Sequence, residues 1–599
     1  MRWRLAILLM VELIPALAVA ADVLDSGLVG HWKLAGDVRD SSGRNNHGAA
    51  KHVEFTVSPD GSPGSAVLLN GRNAFVEVPN SESLQFGRQD FSVSVWVKPE
   101  SKMTTVFGDI LSKFDGAKRR GINFHIAGSS SGYTSMCDTR HVHFGIDDGY
   151  LSEWKDCGKP WPTNSLITNL VVFEGELYAG IADAARPEDA CRVFRWQEKR
   201  WIDCGRLGQD PQHLSVFSLF VHNGRLYGGT GIWDWDRAWG VYEKEGKPRA
   251  AKPRVFVYEG GTKWRDLGVL GDSATRVLCM ASYNGELYAG IDKYRTAKGI
   301  VVPGRCFKHD GKAWIDCGAP DQQNLENLYP LGGRLYCATH GNAYVYEGGQ
   351  QWAQIAKFPF EITQIHSMEA YRGQLHLGTW PQGYVLRQAP NGTWTNTGRL
   401  GLPVGKPEIN EINDLCVHNG KLYAGVIPQA EVYRYEADGR WTLLKSLGRQ
   451  PNLSRTVTAS WSRVTAMTSF QGKLYAGTGS CEGMSDDQDP DDTLGRVYEI
   501  QAGHVVSHER DIGNNWTHLA AVRRGSELKL FTNGVLSVTS HAPDQRVFDL
   551  SNSEPLLIGF GAQTYFSGAL SDLRLYGKAL TDADVRRLAD KPTRNPNTR

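Results

Sequence analysis

Two neighbouring stretches, NLVVFEGELYAG (169–180) and RVFRWQEKRWIDCG (192–205), carry the unit from which most of this chain is built. Each places two short runs rich in β-branched and aromatic residues around a tight turn, E-G in the first and Q-E-K in the second, as a β-hairpin requires. The first half recurs. G-x-L-[YH] occurs seven times, as GELYAG at 175, GRLYGG at 224, GELYAG at 285, GRLYCA at 333, GQLHLG at 373, and GKLYAG at 420 and 472. The second half recurs around Trp154, Trp201, Trp264, Trp314, Trp352, Trp394 and Trp441, with WKDCG, WIDCG, WRDLG and WIDCG as its strongest copies. Two hairpins per repeat give four antiparallel strands in about 50 residues, which is the content of a β-propeller blade.

The unit resembles kelch-type blades, with small residues after the second strand and a Trp on the fourth. The double glycine of that family stands only at Gly228-Gly229. The chain meets a Trp strand first, at 154, and a G-x-L-Y strand last, at 472. Seven complete blades therefore require the Trp154 strand to finish the last blade. Such closure removes an exposed strand edge.

Composition agrees with a folded all-β chain. The 599 residues include 66 Gly and 18 Trp, with 41% hydrophobic and 22% charged residues. A formal net charge of +1 argues against a nucleic-acid binder, which needs a basic face. Residues 1–20 read as a secretory signal peptide: Arg2 and Arg4, an apolar run over 5–17, then Ala18-Val19-Ala20. The expected location is secreted, periplasmic or at the cell surface, with no transmembrane segment in the mature chain. Residues 591–599 are expected to be a flexible tail.

The segments flanking the repeats belong together. Before them stand GLVGHWKLAGDVRDSSGRNNHG (27–48) and FSVSVWVKP (91–99); after them stand NNWTHLAAVRRGSELKLFTNGVL (514–536) and FSGALSDLRLYGKALTDADVRRLA (566–589). These motifs, in this order, resemble the laminin-G-like, concanavalin A-like jelly-roll family, with FTNG where that family usually carries YVDG. The expected architecture is an all-β, discontinuous jelly-roll sandwich (24–150 and 510–590) with an inserted seven-bladed propeller (151–509). Chain entry and exit then share one face of the ring. The sandwich is expected on the tight-turn face, leaving the long-loop face free.

Candidate site residues follow from these frames. The longest insertion, 231–252, gathers Trp233, Asp234, Trp235, Asp236, Trp239 and Tyr242. Aromatic faces beside carboxylates suit sugar rings, and they equally suit packing of the loop on its own blade. The loop 480–495 holds five aspartates, at 486, 487, 489, 491 and 492, which suit calcium or a solvated acidic loop. The jelly-roll resemblance implies a structural calcium ion near Asp37, Asp40, Asn46 and Asp572; turn chemistry explains the same residues. Calcium is thus the one candidate cofactor. Cys191 with Cys204, and Cys306 with Cys317, flank equivalent turns and are candidate cross-strand disulfides in an oxidising compartment, or buried thiols. Cys157 would need another partner, Cys137 or Cys481. His340, His366 and His376 are candidates to line the axial channel.

The sequence contains no E-x-D-x-x-E strand in the jelly-roll pieces, no S-x-D-x-G-x-x-W box, and no HExxH or GxSxG. The functional expectation is a non-enzymatic recognition protein that binds glycans through the jelly roll or the propeller loops. The alternatives are a polysaccharide-active enzyme with acids on the open propeller face, and an adhesion scaffold with extracellular protein partners.

Overall fold

The structure, a computed structural model, describes residues 24–183, 188–232, 252–271, 274–295, 300–359, 361–401, 410–448, 462–480 and 493–590. The signal segment 1–20, the Trp233–Tyr242 cluster, the aspartates 486–492, Cys481 and the tail 591–599 lie outside the described residues.

Seven four-stranded antiparallel blades form the propeller. Their inner strands, numbered here by blade, are Leu166–Phe173, Ser215–His222, Val277–Tyr283, Asn327–Leu331, Gln364–Tyr371, Glu411–His418 and Ser462–Phe470. Each neighbours the next, and the first neighbours the last, in a closed ring. The Trp154 segment ends the last blade: Lys155 and Asp156 pair with Glu499 and Tyr498.

The repeat residues explain the blade. The turn between the first two strands has positive φ at both central residues, for example Glu174 and Gly175, Asn223 and Gly224, Asn419 and Gly420. That is the type I′ turn, whose twist matches the hairpin. On the outer strand, Asp203, Asp266 and Asp316 accept a hydrogen bond from the backbone of the glycine two residues on. The tryptophans tie blades together. The indole N–H groups of Trp201, Trp264, Trp352 and Trp441 donate to the carbonyls of Cys157, Cys204, Cys317 and Thr397 on the preceding blade.

The remaining strands make a two-sheet sandwich. One sheet contains Phe91–Pro99, Thr517–Arg524 and Ser567–Tyr576; the other contains Asp109–Asp115, Arg120–Ala127, His141–Leu151 and Ala502–His508. Strands from both ends of the chain alternate within each sheet. The pairing of Ala502–His508 with His141–Leu151 corrects one boundary: the sandwich resumes at Ala502, not at 510. Those residues match the hydrogen-bonding edge of the strand beside them, a property that their own pattern does not advertise.

The sandwich sits on the type I′ turns. The turn of blade 3 reaches it through Asn284 N–H to Met103 O, that of blade 4 through Gly333 N–H to Thr104 O, and that of blade 5 through Arg372 N–H to Ala562 O. Asn419 donates from its amide to Ile146 O and Ala502 O, and Gly472 N–H donates to Ser507 Oγ. The fit is close: a Cβ on Gly145 would collide with Asn419 Oδ1. One sheet face of the sandwich is thereby covered by the propeller.

The connection 128–140, GSSSGYTSMCDTR, leaves the sandwich and enters the axial channel. Inner strands present an unpaired edge to that channel, and buried N–H groups there need partners. Leu170 N–H and Val172 N–H donate to Ser131 Oγ and Ser129 Oγ. Val221 N–H meets the Cys137 sulfur, Asp138 N–H donates to Val221 O, and Ser135 N–H donates to Met280 O. Ser130 Oγ donates to Glu369 on blade 5 at 3.0 Å. The segment is a plug that satisfies several blades at once.

Of the two readings that the sequence leaves for the cysteine pairs, the structure carries thiols. Every described cysteine is a free thiol. Cys191 is directed at Ser215 O, 3.1 Å away, while Cys204 is hydrogen-bonded to Tyr258, so the two face different neighbours. Cys306 and Cys317 are hydrogen-bonded to each other. Cys137 is spent in the plug and Cys157 lies on the outer strand side of blade 7, so these two do not pair.

Candidate functional site

Inner strands begin at the end of the ring away from the sandwich. Residues at or next to their starts therefore surround the free mouth of the channel: Arg276, Glu326, Gln364, Glu411 and Arg463 come from five consecutive blades, 3 to 7. Sequence spacing hides this group, because each member comes from a different repeat and breaks the repeat pattern.

Two carboxylate–imidazole pairs stand there. His340 Nε2 lies 2.6 Å from Glu326 Oε1, and the Asn324 amide donates to the same oxygen at 2.9 Å. Burial pushes the Glu326 carboxyl up, yet the hydrogen bond and charge of His340, with His366 and Asn324, hold it down at about 2. It is an ionised acid at any neutral pH. His366 stands between three groups: its Nδ1 is 2.6 Å from the Tyr133 hydroxyl and 3.4 Å from Glu411 Oε1, and its Nε2 is 2.7 Å from Gln364 Oε1. With Nε2–H donated to the Gln364 oxygen, Nδ1 accepts from Tyr133. Asn413 donates to Glu411.

Tyr133 is the tip of the plug. Its ring lies 5.4 Å from Phe217 and 5.1 Å from His366. Arg276 lies over Phe217 at 5.3 Å and bonds Asp292 through Nε at 3.2 Å. Burial, followed by the charges of Glu411 and Glu326, raises the Tyr133 phenol well above its ordinary range, so it is a neutral hydrogen-bonding group. The mouth thus gathers carboxylate, amide, imidazole and guanidinium groups, most of them buried, around a partly exposed Tyr133. This set can bind hydroxyl groups and can exchange protons at His366.

Of the three histidines expected at the channel, His340 and His366 are at the mouth. His376 is not: it is buried on the second strand of blade 5, bonded to Gln374 O and packed edge-on against Tyr371. Tyr133, Glu326 and Glu411 had no sequence signal beyond their chemistry.

The expected calcium residues are committed elsewhere. Asp40 accepts from His31 N–H, Ser42 N–H, Ser42 Oγ–H and Asn46 N–H. Asn46 bonds Val29 O, Ser83 and Ser81. Asp572 lies 2.7 Å from His31 Nε2 and 3.1 Å from Arg574 Nε, and Asp37 accepts from Arg39 N–H. Among the described residues no three His, Cys, Asp or Glu side chains converge as metal ligands. At Asp40 both oxygens are taken, so an ion there would have to displace N–H and O–H groups.

Comparison with known proteins bears mainly on the fold. The family model of the concanavalin A-like lectin/glucanases superfamily (Laminin_G_3) matches residues 449–586. Its upstream part falls on strands of blade 7, and the strands from 502 onward are those of the sandwich. No curated protein sequence matches the chain. Among solved structures, a catalytically inactive virginiamycin B lyase from Staphylococcus aureus with quinupristin covers 59% of this chain and 99% of its own, at 7% identity and TM-score 0.38. Saccharomyces cerevisiae Sqt1 covers 59% and 98%, at 12% identity and TM-score 0.34. Trypanosoma rangeli sialidase in complex with the inhibitor DANA covers 71% and 94%, at 10% identity and TM-score 0.29. Likenesses of this size assign no activity. The fold itself is an all-β, concanavalin A-like sandwich carrying a seven-bladed propeller.

Proposed function

We propose that this chain is a secreted recognition protein that binds carbohydrate at the free mouth of its propeller. The observation that carries the reading is the convergence of Glu326, His340, His366 and Glu411 at the one end of the axis that the sandwich leaves open. Carboxylates, amides and imidazoles match the donor and acceptor pairs of sugar hydroxyls, and the partly exposed Tyr133 ring matches the apolar face of a sugar ring. The covered sheet of the sandwich is a poorer candidate. Two cavities between it and the propeller, one lined by His125, His141, His143 and Glu369 and one by Phe114, Tyr371, Arg372 and Glu554, measure about 20 and 90 Å³, well short of a sugar-ring pocket.

The test is retention of the mature chain on a panel of immobilised polysaccharides, with calcium and then with chelator. Retention of the wild type, unaffected by chelator and reduced at least tenfold in Glu326→Gln, supports the reading. No retention on any polysaccharide overturns it and points to a protein partner.

A second reading is a polysaccharide-active enzyme. It is favoured by His366, which touches both a phenol and a carboxylate and is placed to move a proton. Release of new reducing ends during the same incubation would establish it.

A further inference from the structure

We infer that the sandwich domain supplies the floor of the propeller's ligand site, and that Tyr133 is the residue through which it determines what binds there. The inference rests on the carbohydrate reading above and deepens it. The ligand class is a polyhydroxylated ring, with an apolar face for the phenol ring and a hydroxyl within reach of His366.

Three observations carry it. First, the plug runs the length of the channel. Its sides are fastened to inner strands by Ser129, Ser131, Cys137 and Asp138, and it reverses at a turn in which Ser131 pairs with Thr134. The turn passes close to its walls, since a Cβ on Gly132 (φ +58) would stand 2.9 Å from Thr465 O. Second, the neighbours of Tyr133 on the plug are buried, while Tyr133 itself is partly exposed. A plug that only filled space would end in a buried apolar group. Third, Tyr133 makes its polar contact with a mouth residue and not with a channel wall: its hydroxyl is 2.6 Å from His366 Nδ1. With Nε2–H donated to the Gln364 oxygen, the acceptor nitrogen of His366 takes the Tyr133 O–H, so this contact fastens the plug tip to the mouth.

The arrangement makes the two domains one functional unit. A propeller lacking the plug would retain Glu326 and His340 and would have an open channel in place of a floor. The plug's side bonds and its tip are separable, because Ser131 bonds Leu170 N–H without touching the mouth.

Three variants of the full mature chain test this, each measured for retention on the polysaccharide that holds the wild type and for thermal midpoint. Tyr133→Phe removes the hydroxyl and keeps the ring; Tyr133→Leu removes both. Ser131→Ala loosens the plug without altering the floor. The expected result is a loss of retention of about tenfold for Tyr133→Phe, as one polar contact is worth. Tyr133→Leu loses more. Both keep a midpoint close to the wild type, whereas Ser131→Ala lowers the midpoint and keeps retention. Unchanged retention in both Tyr133 variants overturns the inference and leaves the carbohydrate reading standing. Equal losses in Ser131→Ala and Tyr133→Phe, in step with their midpoints, also overturn it, because plug seating alone then explains the effect. A wild type that no polysaccharide retains overturns both proposals together.

Discussion

At the sandwich end of the propeller axis, Glu369 is buried with Tyr329, Ser130 and the Ala370 N–H as its partners, and burial outweighs their help and raises it to about 7. Glu509, beside Ser507 and Gln471 N–H, is raised likewise to about 7. At the free end, Glu326 is as deeply buried and stands at about 2. The difference is the partner. Hydroxyl and amide donors do not offset the loss of water around a carboxylate, and an imidazole that shares its proton does. Burial lowers His141 to about 3 and His143 to about 4 at the covered end, so they are neutral. At the covered end burial thus favours the neutral form of these four groups, whereas at the free end Glu326 keeps its charge.

The largest expected effect probes what closes the covered channel. Ser129→Ala combined with Ser131→Ala leaves Leu170 N–H and Val172 N–H buried without partners. Two such losses cost about 4 kcal/mol. Chemical denaturation would read this, and a cost below about 1 kcal/mol would mean that the plug is not what satisfies the inner strands.

The next sharpens the contrast in charge. A carboxylate lowered from 4.5 to about 2 contributes about 3 kcal/mol. Its folded pKa lies below its unfolded one, so this stability is present above about pH 4.5 and is lost as pH falls toward 2. Glu369 behaves oppositely. Raised to about 7, it supports folding below about pH 4.5, and that support is lost as pH rises through 7. Thermal midpoints measured from pH 3 to 8 should therefore lose their acid limb in Glu326→Gln and part of their alkaline decline in Glu369→Gln. Identical profiles for both variants would erase the distinction between the two ends.

The neutral histidines give a slope of similar size, opposite in sign to that of Glu369. His143 is lowered to about 4, so the stability linked to its neutral form is complete above about pH 6.5 and drains as pH falls toward 4. His143→Gln should flatten the midpoint over that window. A steeper curve would show that the imidazole is charged in the interface.

Two more differences should be small. Cys306 and Cys317 touch, and Cys191 and Cys204 face different neighbours. Peptide mapping without reduction, on protein from an oxidising compartment, should find a bridge in the first pair only. Chelation should move the thermal midpoint by less than about 1 °C, because Asp40 and Asp572 are already satisfied by protein donors. A larger drop would show an ion displacing them.

The repeats made the blades legible. E-G and N-G turns, an alternating strand and a Trp strand carrying D-x-G are local instructions, and local instructions repeat visibly. The split jelly roll was legible for a related reason: its motifs are long enough to be matched on either side of an insertion. The place of the strand Ala502–His508 in the sandwich is not legible in the sequence because its pairing with His141–Leu151 joins residues more than 350 positions apart. The mouth was legible only in its histidines, and then as three equal candidates. Ring closure alone separates His340 and His366, which meet Glu326 and Tyr133 at the mouth, from His376, which packs inside its blade. By itself the sequence determined the strands, their turns, the number of blades and the interrupted sandwich, since each depends on contacts within one repeat or one motif. Tertiary structure decided that GSSSGYTSMCDTR is a plug, that Tyr133 meets His366, and that one end of the axis is closed and the other charged. Those outcomes depend on which free N–H and carboxylate groups face a common axis, and no single repeat contains that axis.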